Sequence, residues 1–266
     1  MESQQGEPRL TNELIAFQKF ALAAVVQSRE IIQTAFAAQT NVEFKSDGSV
    51  LTETDLAVER LLRGLIEETY PTHTIIGEEY DSKRQSSVYE WTIDPIDGTQ
   101  NFATGLPTFS TLISLRRDGR SVLGVIDHPA LGICYHAAEG LGAYCNGKRI
   151  SIGDARSDYS IIATSTRGNY QRTGQEQLFD KLLEAYPDTR IYYDSFPYGH
   201  VAQGHISAMV EFNLKLWDLS PVEVLIREAG GVYLPLQSVE RANGPTLISA
   251  IFGNPDLVGK LQGQFR

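Results

Sequence analysis

The chain has 266 residues, 42% of them hydrophobic, enough to bury one large core or two closely apposed smaller ones, and its composition is that of a globular protein. Thirty-three acidic against 23 basic side chains give a formal net charge of -10, a field that repels nucleic-acid backbones but leaves room for a small anionic ester held through divalent cations. Two cysteines without CxxC spacing, Cys134 and Cys145, read as free thiols in a reducing compartment; with a polar N-terminus and no stretch of spanning length, the expectation is a cytoplasmic protein with neither nucleic-acid nor membrane partners.

From Asn12 to Ala38 the residues Leu14, Phe17, Ala21, Val25 and Ile32 recur at helical spacing, with Thr11 or Asn12 available as a cap, and predict one long amphipathic helix. Lys45 to Ser49 carry turn chemistry and 49–52 an extended stretch, so a loop or hairpin leads into a second helix predicted from Asp55 to about Tyr70 and ended by Pro71. Short β-like runs follow at 74–76, 89–93, 108–115, 122–126 and 133–137, a succession that fits a mixed or antiparallel sheet better than repeated βαβ units. Asn146-Gly147 between 143–144 and 149–152 is the strongest hairpin signal in the chain. Beyond it a strand at 161–164, a helix at 175–185, a strand at 190–193 and a helix at 221–229 read as an α/β half; Pro221 suits that last helix's first turn, with Asp218 or Ser220 just ahead of it.

Acidic residues able to serve as hard oxygen ligands fall in three separated places. Glu78 and Glu79 emerge directly after the apolar run Thr74-Ile75-Ile76; Asp94 and Asp97 sit in Asp94-Pro95-Ile96-Asp97-Gly98-Thr99; Asp218 stands in Trp217-Asp218-Leu219-Ser220-Pro221. Taken singly, each has a plainer explanation: adjacent glutamates are commonly a solvated pair, Asp94 and Asp97 turn caps, and Asp218 an N-cap. Gly98 and Thr99 would also present backbone N–H groups at a helix start, where unpaired amides favour phosphate. Two Mg2+ ions held by such carboxylates could activate water, neutralise phosphoryl oxygens and stabilise a departing alkoxide.

Together, Gly77-Glu78-Glu79, the Asp94 to Thr99 run followed by Asn101-Phe102, and Trp217-Asp218-x-x-Pro221 with Glu228-Ala229-Gly230-Gly231 downstream resemble, in order and separation, the paired motifs of the inositol monophosphatase superfamily. The match extends from Lys45 to Gly231 and includes Lys45-x-Asp47-Gly48-Ser49-x-x-Thr52-x-x-Asp55. The resemblance implies a layered α+β / α/β sandwich (αβαβα) of the inositol monophosphatase and fructose-1,6-bisphosphatase type. Residues 1–150 would form an α+β half with most metal ligands and 151–266 an α/β half with the specificity residues and Asp218, in one compact catalytic unit. It implies homodimers, frequent inhibition by lithium, and two or three Mg2+ per subunit. By motif position, Glu78, Asp94 and the Ile96 carbonyl would hold one Mg2+, and Asp94, Asp97 and Asp218 another. Thr99, hydrogen-bonded to Asp55, would orient and help deprotonate the attacking water together with Glu78.

The superfamily includes phosphatases of inositol phosphates, histidinol phosphate, fructose bisphosphate and phosphoadenosine phosphate, so its core leaves the substrate open. Asp194 and Tyr198 resemble the Asp-x-x-x-Tyr arrangement of the histidinol-phosphatase branch, and Glu211, seven residues before Asp218, could supply a second contact. A carboxylate facing an ammonium favours histidinol phosphate, with an inositol-1-phosphatase or a broad-range sugar or nucleotide phosphatase as alternatives. Phe196-Pro197 depart from that branch's small residue and glycine, which puts the direction of the Asp194 carboxylate in question. Arg167 reads as surface charge, the five histidines lack metal-ligand spacing, and Trp91 and Trp217 suggest apolar walls behind the site. A catalytically silent phosphate- or partner-binding homologue is the reading of another class, disfavoured because Glu78, Asp94, Asp97, Thr99 and Asp218 all stand in motif positions.

Overall fold

A computed structural model describes residues 6–38, 42–44, 50–154, 161–172, 174–240 and 245–264. The elements in chain order are α1 (Gly6–Ala38), β1 (Val42–Phe44), β2 (Val50–Thr52), α2 (Glu53–Thr69), β3 (Thr74–Gly77), β4 (Tyr89–Asp97), α3 (Thr99–Ala103), β5 (Ser110–Arg117), β6 (Arg120–His128), β7 (Ile133–Ala138), β8 (Gly142–Cys145) and β9 (Lys148–Ile150). After a short 3-10 turn follow β10 (Ile162–Thr164), α4 (Arg167–Gln171), α5 (Glu176–Ala185), β11 (Arg190–Ile191), α6 (Phe196–Ala202), β12 (Ala208–Leu214), α7 (Leu216–Glu228), β13 (Val232–Val239), β14 (Leu247–Gly253) and α8 (Pro255–Gln262). The antiparallel pairing of β1 with β2 fits the expected hairpin, although its Lys45–Ser49 turn lies outside the described residues.

A seven-stranded sheet runs in the order β3-β4-β5-β6-β7-β8-β9, and only its β3–β4 pair is parallel. The five-stranded sheet runs β11-β10-β12-β14-β13, with β10 parallel to both its neighbours. Alternation along the strands sends neighbouring side chains to different cores. On β5, Ile113 joins the core under α1 and α2 while Leu112 joins the one around α7; on β12, Met209 faces α7 while Val210 faces Phe179, Tyr170 and Leu261 on the far side. The result is five layers: α1 with α2, the seven-stranded sheet, α6 with α7, the five-stranded sheet, and α4, α5 and α8. Sheets covered on both faces must be apolar on both, which is why these strands read as dense hydrophobic runs.

α1 buries Leu14, Phe17, Ala21, Val25 and Ile32 as its periodicity requires, and Arg29 ties it to the sheet through both oxygens of the fully buried Asp127. It starts six residues before the expected Asn12, with Pro8 in the first turn, where no N–H is needed. α2 starts two residues before Asp55 because Thr52 is its cap: Asp55 N donates to Thr52 Oγ1, and Asp55 Oδ2 accepts from Thr52 N at 2.8 Å. Asn146 and Gly147, at φ 48° and 75°, make the tight β8–β9 turn that the dipeptide signals.

α7 corrects the expected order of events around Pro221. It begins at Leu216, so Asp218 lies inside its first turn and Pro221 in its second, where the ring deletes one helical hydrogen bond. α7 is buried on all sides from Trp217 to Leu225 except at Glu223, because sheets pack on both its faces. It approaches β6 closely at Gly124, where a Cβ would fall 2.5 Å from the Pro221 carbonyl. That contact brings the start of α7 down beside β4, the strand that carries both Asp94 and Asp97.

Candidate active site

Asp94 and Asp97 are three residues apart, and in a regular strand they would point to opposite faces. β4 does not end at Ile93 as the sequence suggested but continues through Pro95 to Asp97, and a bulge lies between them: Asp94 pairs with Leu112, Asp97 with Ser110. The extra residue resets the alternation, so both carboxylates enter one cavity. Proline, which has no N–H to give the ladder, sits in the bulge, and its carbonyl accepts the Thr111 hydroxyl at 2.9 Å.

The other members arrive from elsewhere. Glu78 follows the end of β3, and its N–H donates to the Ile93 carbonyl at 3.2 Å, next to Asp94. Asp218 comes from the first turn of α7, where its Oδ2 accepts the Lys215 N–H at 2.7 Å. Asp94, Asp97 and Asp218 each bring an oxygen within 4.8 Å of the other two. Thr99 opens the five-residue α3 after Gly98, which takes φ 82°; the Thr99 hydroxyl lies 3.0 Å from the Ile96 carbonyl and 3.3 Å from Asp55 Oδ1.

Burial dominates the electrostatics. It pushes Asp94 well above the carboxylate range, reinforced by Glu78, Asp97 and Asp218. Burial also raises Asp97 to about 6, against hydrogen bonds from Ser195, and Asp218 to about 7, against Lys215. Burial works against the Lys215 ammonium too, but Glu78 at 2.5 Å and Asp218 outweigh it and hold the group charged. Asp94 Oδ1 is fully enclosed and has no hydrogen-bond partner among the described residues. Converging carboxylates that repel one another, with one oxygen orphaned in the interior, fit a hard divalent cation and not a self-sufficient hydrogen-bond network.

The five-stranded sheet supplies a second acidic wall. β11 and β10 are parallel, and Asp194 lies three residues past the end of β11 in the left-handed region, φ 58°. Its Oδ2 accepts from Asn101 Nδ2 at 2.9 Å, and a Cβ on Gly98 would sit 2.9 Å from the same oxygen. Pro197 does not turn the carboxylate away: it falls in the first turn of α6, where its ring fits, and the Ser195 N–H donates to Asp97 Oδ2 at 2.6 Å. Glu211, on β12, accepts the Tyr198 hydroxyl on Oε1 at 3.2 Å, and the Ser165 hydroxyl also faces its carboxylate. Burial raises Asp194 and Glu211 to about 8 each, with Asp97 adding to both.

Several expectations resolve on contact with the structure. Arg167 pairs with Asp180 at 3.0 Å on the surface. Trp217 does border the site, under the Lys215 ammonium at 5.4 Å, whereas Trp91 belongs to the core below α1, among Phe17, Phe20 and Tyr70. Among the described residues the histidines form no metal cluster; His73 accepts the Trp91 indole N–H at 3.1 Å. Lys215, Asn101 and Ser195 are participants that the sequence reading passed over. Lys215 is three residues before Asp218, the spacing of a helix N-cap to its third residue, and that signal could have found it.

Layers and acidic centre together define an α/β protein with a carboxylate cluster suited to divalent cations at the meeting of two sheets. The sequence profile of the inositol monophosphatase family matches residues 13–251, and the chain belongs to that family, a family of phosphatases. It is 30% identical over 236 residues to a histidinol-phosphatase of Mycobacterium tuberculosis, covering 86% of this chain and 91% of that protein. It is also 30% identical over 222 residues to a fructose-1,6-bisphosphatase/inositol-1-monophosphatase of Aquifex aeolicus, covering 82% and 80%. Among solved structures, an inositol monophosphatase from Zymomonas mobilis matches with a TM-score of 0.79 at 28% identity, over 94% of this chain and 97% of that one.

Proposed function

We propose that the protein is a Mg2+-dependent phosphomonoesterase whose substrate carries a cationic leaving group, with histidinol phosphate the best match. The convergence of Asp94, Asp97 and Asp218 within 4.8 Å, with Asp94 Oδ1 left unpaired, carries the first half of this reading. Glu78, Asp94 and the Ile96 carbonyl would hold one cation, and Asp94, Asp97 and Asp218 a second. Bound there, divalent cations offset charge on the phosphoryl oxygens and make water nucleophilic at neutral pH.

The chain's own residues do the rest. Thr99 Oγ1 accepts a hydrogen bond from the attacking water and passes its own proton toward Asp55 Oδ1, 3.3 Å away. Asp55 is kept in place by the Thr52 N–H and hydroxyl on its other oxygen, so it receives the proton without turning. Gly98, lacking a side chain, lets the phosphate approach the backbone beside Thr99. Attack at phosphorus breaks the ester P–O bond, and the departing alkoxide takes a proton from a solvent water to leave as an alcohol.

Asp194 and Glu211 support the substrate class. Both are buried carboxylates drawn from the acidic wall opposite the metal ligands, and a buried ammonium or imidazolium would offset their charge with charge-assisted bonds. A neutral polyol would bond the same oxygens more weakly.

The test is phosphate release, dependent on Mg2+, from histidinol phosphate, inositol 1-phosphate, fructose 1,6-bisphosphate and phosphoadenosine phosphate, for the wild type and Asp194→Asn. Wild type is expected to prefer histidinol phosphate, and the variant to lose about tenfold or more in kcat/KM for it, the worth of one charge-assisted bond, while neutral esters change little. A wild-type preference for inositol phosphate that Asp194→Asn leaves untouched rejects the cation-reading role. No release from any ester would leave the silent homologue as the reading.

A further inference from the structure

We infer that Glu59 is a positioning residue for Glu78, acting through the backbone of the turn that follows it; the inference rests on the reading of Glu78 as a metal ligand. Glu59 lies on α2 and is fully buried. Its carboxylate does three things at once. Oε2 accepts the Glu79 N–H at 2.8 Å, and Oε1 accepts the Tyr80 N–H at 3.3 Å and the Arg63 Nε at 2.7 Å. Arg63 then closes the ring by donating from Nη2 to the Tyr80 carbonyl at 3.0 Å.

The fit is steric as well as polar. Gly77, immediately before Glu78, has room only for hydrogen: a Cβ there would lie 2.0 Å from Glu59 Oε1 and 2.9 Å from Arg63 Nη2. On its other side Glu78 is tied to β4 by the bond from its N–H to the Ile93 carbonyl. The residue is therefore clamped between the strand that carries Asp94 and a buried acid–base pair on a helix, and its side chain leaves the clamp toward Lys215 and the acidic centre.

A buried ion pair alone is weak evidence for anything, because two carboxylate-sized desolvation penalties oppose it. Here both oxygens of Glu59 are used on backbone amides of one short turn, and that turn contains a site residue. This is how a group behind a ligand sets its direction, and losing such a group typically lowers metal affinity by about 10- to 100-fold.

The experiment compares Mg2+ binding by calorimetry, in the absence of substrate, for the full-length wild type, Glu59→Gln and Ile66→Val, with amide hydrogen exchange read at residues 78–80. Gln keeps the shape but sets an NH2 group against an amide or the guanidinium. Ile66→Val trims the same helix in the core without touching the turn, and so controls for a general loss of stability. The expected result is Mg2+ affinity weakened about 10-fold or more in Glu59→Gln only, with faster exchange confined to the turn. Affinity within about threefold of wild type, or equal weakening by Ile66→Val, overturns the inference. Should Glu59→Gln fail to fold, Arg63→Gln decides: about threefold or greater weakening of Mg2+ binding is expected, and none refutes it. If the wild type itself binds no Mg2+, the metal reading of Glu78 fails, and the clamp stands or falls on whether Glu59→Gln speeds exchange at 78–80 alone.

Discussion

Asp218→Asn should stabilise the metal-free protein, and by more as the pH rises. Asp218 is held at about 7, against the ordinary 3.8, so between those values the unfolded chain carries the charge while the folded chain keeps the proton. The folded state then binds more protons than the unfolded one, and stability falls as pH increases. At 1.36 kcal/mol for each tenfold change in proton affinity, this one group loses about 3 kcal/mol between pH 5 and pH 7 and little further above it. Asparagine has no such dependence, and its carbonyl oxygen can still accept the Lys215 N–H. About 2–4 °C of Tm per kcal/mol for a chain of this size makes the gap between variant and wild type widen by about 5–10 °C from pH 5 to pH 8.

The assay is thermal denaturation in a chelator across that pH range, repeated with saturating Mg2+. With Mg2+ the order should invert if Asp218 holds the cation as proposed, because the cation would then stabilise the folded wild type by mass action and the variant less. A gap that stays constant or narrows as pH rises in the chelator would refute the reasoning, since it would mean that the buried Asp218 carboxylate is not penalised by its surroundings. An Mg2+ response equal in the two proteins would separate Asp218 from the metal.

Thr99→Val keeps the volume and removes only the hydroxyl between Asp55 and the Ile96 carbonyl; kcat is expected to fall about 100-fold with the Mg2+ Kd unchanged, and an unaltered kcat would exclude a relay through Thr99. Gly124→Ala drives a methyl into the Pro221 backbone, which cannot move aside as a side chain could, and should lower stability by about 1–3 kcal/mol, read as a drop in Tm and a weaker Mg2+ response as the first turn of α7 shifts. An unchanged Tm would show that α7 is not seated on Gly124.

The parts of the fold that could be read from the sequence are those whose local pattern and tertiary environment agree. α1 has one buried face, so its apolar residues keep helical spacing, and Asn146-Gly147 adopts a left-handed turn that both residues tolerate. The start of α7 could not be placed that way. A helix buried on almost every side has no polar face to give it a period, and Pro221 looks like a beginning although it lies in the second turn. β12 was likewise missed, since Glu211 and Asn213 interrupt its apolar run. Those interruptions are the residues that face the site or bend the strand toward it, with Asn213 at φ 71° beside a bulge.

A related difference explains why the proposed ligand residues were legible and the groups behind them were not. Asp94 and Asp97 stand in a short run with proline and glycine whose spacing from Glu78 and Asp218 is itself a motif, and such a motif is visible in one dimension. Glu59 violates nothing: on an amphipathic helix, four residues before an arginine, it reads as one more exposed i,i+4 pair. Its importance comes from being at zero exposure opposite a glycine that is 18 residues away in sequence, a relation that only the packing of α2 against β3 and β4 creates. A ligand announces itself by chemistry that is costly without a cation, whereas the residue that aims it is recognisable only through the backbone it holds.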